Sequence, residues 1–374
     1  MPPRQATGPE AIADAAAATG VLASLEPLVA ELRARGYTVV GPVERDGVIR
    51  MREIASAAEL PAGRGDAQDA GRYRLTDRGD ELVFGYAAGP DSAKRYTHPP
   101  RETLFRMRRD GVPEEPAREA PRVALLGVRA CDLAALAVQD RVFLGGRHPD
   151  PAYRARREAL LLVAVDCAVP GGTCFCASMG TGPRASAGYD LALTELTGPH
   201  RFLVRAGGER GAGILAALRP DPATEADLAA AEEVSRRAAE RMGRRVNLDG
   251  VRGRLAAARS SPRWDELASR CLTCANCTMV CPTCFCTTVE DTTDLGDGTA
   301  GRVERWDSCF TLAFTELGGA PVRGSGAARY RQWLTHKFAT WVDQFGCYGC
   351  VGCGRCVTWC PPGIDITEEL ERLP

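Results

Sequence analysis

Two stretches decide the reading: Cys271-Leu-Thr-Cys274-Ala-Asn-Cys277-Thr-Met-Val-Cys281-Pro282 and Cys350-Val-Gly-Cys353-Gly-Arg-Cys356-Val-Thr-Trp-Cys360-Pro361. Each is the C-x2-C-x2-C-x3-C-P run of bacterial ferredoxins. Three thiolates on one tight loop can each meet a different iron of a cube, while the fourth, opening the next helix, points to the neighbouring cube. The expected quartets are therefore interleaved. Cys271, Cys274, Cys277 and Cys360 make one, and Cys350, Cys353, Cys356 and Cys281 the other. Soft thiolate ligands suit such clusters. A structural zinc module is the alternative, but four-cysteine zinc sites use two separated CxxC pairs. Two [4Fe–4S] clusters are expected.

Around these runs the chain is ordinary. Its 374 residues are 45% hydrophobic and 25% charged, with a net charge of −1. That is enough chain for two domains, and the charge balance points to neither nucleic acid nor an anionic membrane. No apolar run reaches the ~20 residues that span a bilayer. Met1 to Gly20 lacks the apolar core of a signal peptide, so a cytoplasmic location is expected. Of 16 cysteines, 12 lie between Cys271 and Cys360, which in such a chain favours metal binding over disulfides.

The expected fold class is α+β: a mixed α/β domain over residues 1–246, then a mainly helical two-cluster ferredoxin domain over 247–374. Leu22 to Arg35 has helical spacing and Tyr37 to Val40 is strand-like. Tyr73–Thr76 and Leu82–Tyr86 read as a hairpin turning at Arg78-Gly79-Asp80. Val123–Gly127 and Leu160–Val165 are short apolar strands around a helical Leu133–Val142, hence parallel neighbours. Leu191–Leu196 and Arg201–Arg205 are further strands. Thr224 and Asp227 open a helix over Ala226–Met242. Asp291–Gly301 reads as a loop and Arg329–Phe345 as a helix.

Cys131 and Cys167 each follow a predicted strand end, where ligands gather in open α/β sheets. With Cys174 and Cys176 they make a candidate third cluster site, the alternative being buried cysteines that pack as small hydrophobes. The tetrapeptide Thr-Cys-Phe-Cys occurs at 173–176 and again at 283–286. Cys284, Cys286 and Cys309, with Cys347 as a fourth, are a weaker candidate for a further site.

Several segments together resemble the iron–sulfur beta subunit of cytoplasmic sulfhydrogenases and the corresponding iron–sulfur subunit of anaerobic sulfite reductase. They are Val128-Arg-Ala-Cys-Asp-Leu-Ala-Ala-Leu136, Asp166-Cys-Ala-Val-Pro-Gly-Gly-Thr-Cys-Phe-Cys176, Met179-Gly-Thr-Gly-Pro183, Pro282-Thr-Cys-Phe-Cys286, Arg305-Trp-Asp-Ser-Cys309 and Gly352-Cys-Gly-Arg-Cys356. The resemblance runs from Glu53 to Ile366. It implies an electron-relay subunit between a flavin- and NAD(P)-binding diaphorase-type partner and a catalytic redox subunit of hydrogenase or sulfite reductase type. The family's N-terminal cysteines correspond to Cys131, Cys167, Cys174 and Cys176. The 68 residues between Cys281 and Cys350 are long for a minimal ferredoxin and resemble the helical ferredoxin of respiratory iron–sulfur subunits.

No GxGxxG follows a strand and there is no Walker A sequence, so nothing in the sequence puts a nucleotide on this chain. His98, His148, His200 and His336 are scattered, though His336 could hydrogen-bond a cluster sulfur. Lys94 and Arg95 beside Tyr96 suggest a docking patch or a solvated surface. No nucleophile–base pair is recognisable, Ser178 and Ser308 included. A stand-alone reductase acting at an N-terminal cluster is the second functional reading.

Overall fold

A computed structural model describes residues 18–107, 111–114, 120–294, 296 and 298–373. The Met1 to Gly20 stretch therefore lies almost entirely outside the described residues.

Seven strands form one sheet, ordered Thr19–Leu22, Arg201–Ala206, Leu191–Leu196, Leu161–Val165, Val123–Arg129, Thr38–Arg45, Val48–Glu53. The four from Leu191–Leu196 to Thr38–Arg45 run parallel; an antiparallel strand flanks them on each side, and Thr19–Leu22 lies antiparallel beyond Arg201–Ala206. The central strands are continuously apolar because both sheet faces are covered. Leu126, Val163, Val165 and Leu193 pack on one face with Leu28, Leu32 and Ile214 from the helices Glu26–Ala34 and Glu209–Leu218. Leu125, Leu162, Ala164 and Ala192 alternate onto the other face against Leu133 and Leu136 of the helix Ala130–Phe143. The expected strand–helix–strand unit is present, with a second helix, Pro151–Ala159, before the returning strand. Thr224 and Asp227 form the capping box of the helix Glu225–Glu240.

Three sequence expectations need correction. Leu22 is not helical: Thr19–Leu22 pairs with Arg201–Ala206 as an edge strand, and the helix starts at Glu26. Tyr73 lies in a hairpin with the segment before it, Arg64–Asp69, turning at Ala70-Gly71. Leu82–Tyr86 is not a strand, because the Val83 and Phe84 N–H groups donate to the buried Glu195 carboxylate (2.6 and 2.9 Å). The region read as the loop Asp291–Gly301 is strand at its two ends, over 291–293 and 300–301, and a connection between them. Thr287–Thr293 and Ala300–Trp306 form a hairpin that pairs onto Arg101–Met107 and, beyond it, Pro113–Glu114.

The remaining C-terminal elements are mainly helical and pack a core of Trp264, Leu267, Phe310, Trp333, Leu334, Phe338 and Val357, which Phe175 and Met179 also enter. The expected Arg329–Phe345 helix runs from Gly326 to Phe345, with one π turn over His336–Thr340. Such an inserted turn often marks a functional position; this one carries the buried Lys337.

Candidate metal centres

The two ferredoxin runs share one backbone design. Thr273 and Ala275 lie two and four residues after Cys271, at φ 51° and 65°; Gly352 and Gly354 hold the same offsets from Cys350, at φ 66° and 73°. Each loop leads into a short helix, Asn276–Met279 or Arg355–Thr358. Left-handed backbone costs a non-glycine residue about 1–2 kcal/mol, a strain that tightly constrained functional loops retain. The first loop bears it twice; the second avoids it with glycine. The curl turns N–H groups onto sulfur: Thr273 donates to Cys271 Sγ, Gly352 to Cys350 Sγ and Ile364 to Cys360 Sγ, each at 3.4 Å.

Around these loops lie two cavities. One is lined by Cys271, Cys274, Cys277, Cys356 and Cys360, with Tyr330 and Trp333 as its aromatic wall. The other is lined by Cys281, Cys350, Cys353 and Cys356, with Phe175 and Lys337. Each cavity thus gathers one of the interleaved quartets expected from the sequence, and Cys356 borders both. Among the described residues no three His, Cys, Asp or Glu side chains close on a single-ion point. The sulfurs line the two cavities from several sides, as ligands at separate corners of a cubane would. Burial pushes the Cys277 and Cys356 thiols upward and Cys350 up to about 12, so metal loading must displace protons. Cys281 is held well below the usual range, first by a hydrogen bond with Cys284, and also by Lys337, whose Nζ lies 3.3 Å from its sulfur.

The four N-terminal cysteines also meet. Arg129 and Val165 are register partners on neighbouring parallel strands, so Cys131 and Cys167 emerge together beyond the carboxyl ends. Cys167 faces Cys174 and Cys176, and Cys176 faces Cys131. Burial raises all four thiols, Cys174 to about 12. Buried Arg129 donates to the Phe84 and Tyr86 carbonyls (3.1 and 2.8 Å) and holds Nη1 3.8 Å from Cys167 Sγ.

This group abuts the second ferredoxin loop. Phe175 N donates to Gly352 O (2.8 Å) and Thr181 Oγ1 to Val351 O (2.7 Å), and Cys353 packs with Cys131, Cys174 and Cys176. A Cβ on Gly352 would stand 2.7 Å from the Cys176 backbone, and one on Gly354 2.5 Å from Thr173 O. Arg355, in the same loop, pairs with Asp132 at 2.8 Å and donates to Gly89 O at 2.7 Å.

Residues 270–364, which carry both loops, match the family model of the 4Fe–4S dicluster domain. Sulfhydrogenase 2 subunit beta of Pyrococcus furiosus is 31% identical over 339 residues, covering 90% of this chain and 92% of that one. The chain belongs to the sulfhydrogenase beta-subunit family. It is an iron–sulfur protein of hydrogenase-subunit type. No solved structure matches it.

In this sulfhydrogenase-family chain the remaining candidates fall out differently. Lys94 is neither a docking patch nor solvated. It is 3% exposed, donates to Cys284 O (3.2 Å) and sits 3.7 Å over the Trp306 ring. His336 bonds Gln344 Oε1 (2.8 Å) and stacks on Trp341 rather than touching a sulfur. Ser178 and Ser308 receive structural hydrogen bonds from Val246 N and Phe310 N. Cys347 lines an open groove near Arg141, and none of Cys284, Cys286 and Cys309 is among its charged neighbours. The sequence reading missed Lys337 and Arg355. Placement on an apolar helix face could have flagged Lys337; Arg355 carries no local signal. No helix of the described residues is long and apolar enough to cross a membrane.

Proposed function

We propose that this chain relays single electrons within a cytoplasmic hydrogenase-type complex, between a flavin/NAD(P)-binding diaphorase-type partner and a catalytic redox subunit. The proposed ligands are Cys271, Cys274, Cys277 and Cys360 for one [4Fe–4S] cluster, Cys350, Cys353, Cys356 and Cys281 for a second, and Cys131, Cys167, Cys174 and Cys176 for a third. When bound, such clusters take up and release single electrons at potentials set by their surroundings.

The observation that carries this reading is the continuity of the three thiol groups. Cys356 borders both ferredoxin cavities, and Cys353 packs against the N-terminal group. Cys274 is exposed and its neighbour Leu272 is 62% exposed, so one end of the line reaches the surface. At the other end, beyond the carboxyl ends of the strands, Cys131, Cys174 and Cys176 are buried and Cys167 is half-buried. The backbone N–H donors hold the sulfurs in place and favour added negative charge, and the aromatic walls exclude water. The relative's printed name makes it one subunit of a sulfhydrogenase, which supports partners for this chain too.

Anaerobically purified protein tests the reading. Cys353→Ser and Cys174→Ser should each remove about four irons with matching sulfide. Unchanged iron in Cys174→Ser would remove the third site; unchanged iron in both would remove the ligand assignment. Reduction of a small molecule by the isolated chain would favour the stand-alone reductase instead.

A further inference from the structure

Two arginines are buried to the same degree beside the four N-terminal cysteines: Arg129 and Arg355 are each 2% exposed. Arg355 has a carboxylate of its own, Asp132, at 2.8 Å. Arg129 has none; among the described residues no carboxylate forms an ion pair with it. The acid that faces it, Asp66, is taken up by Gln68 Nε2 (2.7 Å) and Ala87 N (3.1 Å), and burial pushes its carboxyl up. A guanidinium keeps its charge in proteins, and a buried charge without a counter-ion is costly. The rings of Tyr86 and Phe84, with centroids 4.9 and 5.9 Å from the guanidinium carbon, offset part of that cost.

Cys167 stands where a carboxylate would be. Arg129 Nη1 is 3.8 Å from its sulfur, and Cys131 also faces the guanidinium. Neutral thiols supply no counter-charge; thiolates bound to metal do. The cation is also fixed in place. Its backbone ends the strand Val123–Arg129 in register with Val165, and Nη2 donates to both the Phe84 and Tyr86 carbonyls (3.1 and 2.8 Å). Glu195 holds the same segment from its other side, through the Val83 and Phe84 N–H groups (2.6 and 2.9 Å). The irregular course of Leu82–Tyr86 thus presents two carbonyls that lock a positive charge against the thiol group.

We propose that Arg129 is the counter-cation of the Cys131/Cys167/Cys174/Cys176 site, a positioning residue that acts through Cys167 to favour the reduced state. The proposal rests on the iron–sulfur reading of that site and fails separately from it. Reduction by one electron adds a negative charge at the site, and a fixed cation this close to a ligand sulfur, in buried surroundings, attracts it. Arg355 lacks this effect because Asp132 neutralises it.

The test is an EPR-monitored redox titration of anaerobically purified wild type, Arg129→Gln and Arg129→Lys, with iron measured on the same samples. The signal of the site is the one that Cys174→Ser lacks. In Arg129→Gln its reduction equilibrium should shift about tenfold or more toward the oxidised state, about 59 mV for a one-electron couple. The signals of the two ferredoxin sites should move far less, and Arg129→Lys should recover part of the shift. An unchanged midpoint in iron-replete Arg129→Gln, with iron loss in Cys174→Ser, overturns the counter-cation and leaves the third site standing. Unchanged iron in Cys174→Ser removes the site itself, and the proposal with it. Should Arg129→Gln purify without the iron of the site, Arg129→Lys decides. Iron retained there assigns the requirement to the charge. Iron lost there too assigns it to the shape of the guanidinium and overturns the proposal.

Discussion

Lys337→Met removes the charge nearest the Cys281/Cys350/Cys353/Cys356 site and should lower its reduction potential. Lys337 Nζ stands 3.3 Å from Cys281 Sγ, and also donates to Thr283 Oγ1 (3.2 Å) and Gly349 O (3.0 Å). A metal–thiolate bond adds about 2.3 Å. Unit charges about 5.5 Å apart interact by about 3 kcal/mol at an effective dielectric of about 20. A one-electron couple moves about 59 mV per tenfold change in equilibrium constant, so full loss of that interaction corresponds to about 130 mV. Water entering beside the shorter charge-free side chain recovers part of it. The expected drop is about 60–130 mV. The assay is an EPR-monitored redox titration of wild type, Lys337→Met and Lys337→Arg, with iron content measured on the same samples. Lys337→Arg keeps the charge and should recover part of the potential. The Cys271/Cys274/Cys277/Cys360 site should move far less. An unchanged midpoint in an iron-replete Lys337→Met protein would refute the electrostatic role and leave Lys337 a packing residue.

Three further outcomes are expected. Asp132→Asn leaves the fully buried Arg355 without its counter-ion and should destabilise the fold by about 3–5 kcal/mol, read by denaturant unfolding under anaerobic conditions. Gly352→Ala combines a φ of 66° with a Cβ 2.7 Å from the Cys176 backbone. It should cost more than the about 1–2 kcal/mol of left-handed strain alone and release iron on mild heating. Burial pushes His98 down to about 4, so the fold keeps its imidazole neutral while the unfolded chain protonates near pH 6.5. Stability should therefore fall as pH drops from about 6.5 to 4, by up to about 1.4 kcal/mol per pH unit. His98→Phe should flatten that limb, and an identical slope in the variant would exclude the residue as the cause.

What the sequence announced, it announced through spacing. The expected ferredoxin quartets rest on the reach of a short loop, and the parallel pairing of Val123–Gly127 with Leu160–Val165 on the helical stretch between them. What it hid depends on long-range partners. The segment Leu82–Tyr86 has a strand's composition, but its N–H groups are taken by Glu195, more than a hundred residues away. The Asp/Thr/Gly-rich Asp291–Gly301 segment reads as a loop, yet its two ends belong to the strands of a hairpin whose partner strand, Arg101–Met107, comes from the first third of the chain. Lys94 reads as surface because it forms a charged pair with Arg95 in the sequence. Its burial follows only from packing under Trp306.

The ends of the proposed relay also differ in kind. At the ferredoxin end, exposed Cys274 and Leu272 put the first thiol group directly at the surface. At the sheet end, Cys131, Cys174 and Cys176 are buried. Cys167, the fourth of the group, is half-buried, so an approach there passes either Cys167 or what covers the other three. One opening reaches toward it: the groove between the helices Ala130–Phe143 and Glu225–Glu240, whose wall includes Thr181, Gly182, Cys350 and Val351. Gly182 is bare at the place where a Cβ would meet Cys176 Sγ at 3.0 Å. A side chain there would thicken the cover between groove and sulfur. Gly182→Val should thus slow exchange with a partner docked in the groove while leaving exchange at the Cys274 surface unchanged. Stopped-flow reduction by each partner separately would check this, and equal slowing at both ends would refute the two-ended arrangement.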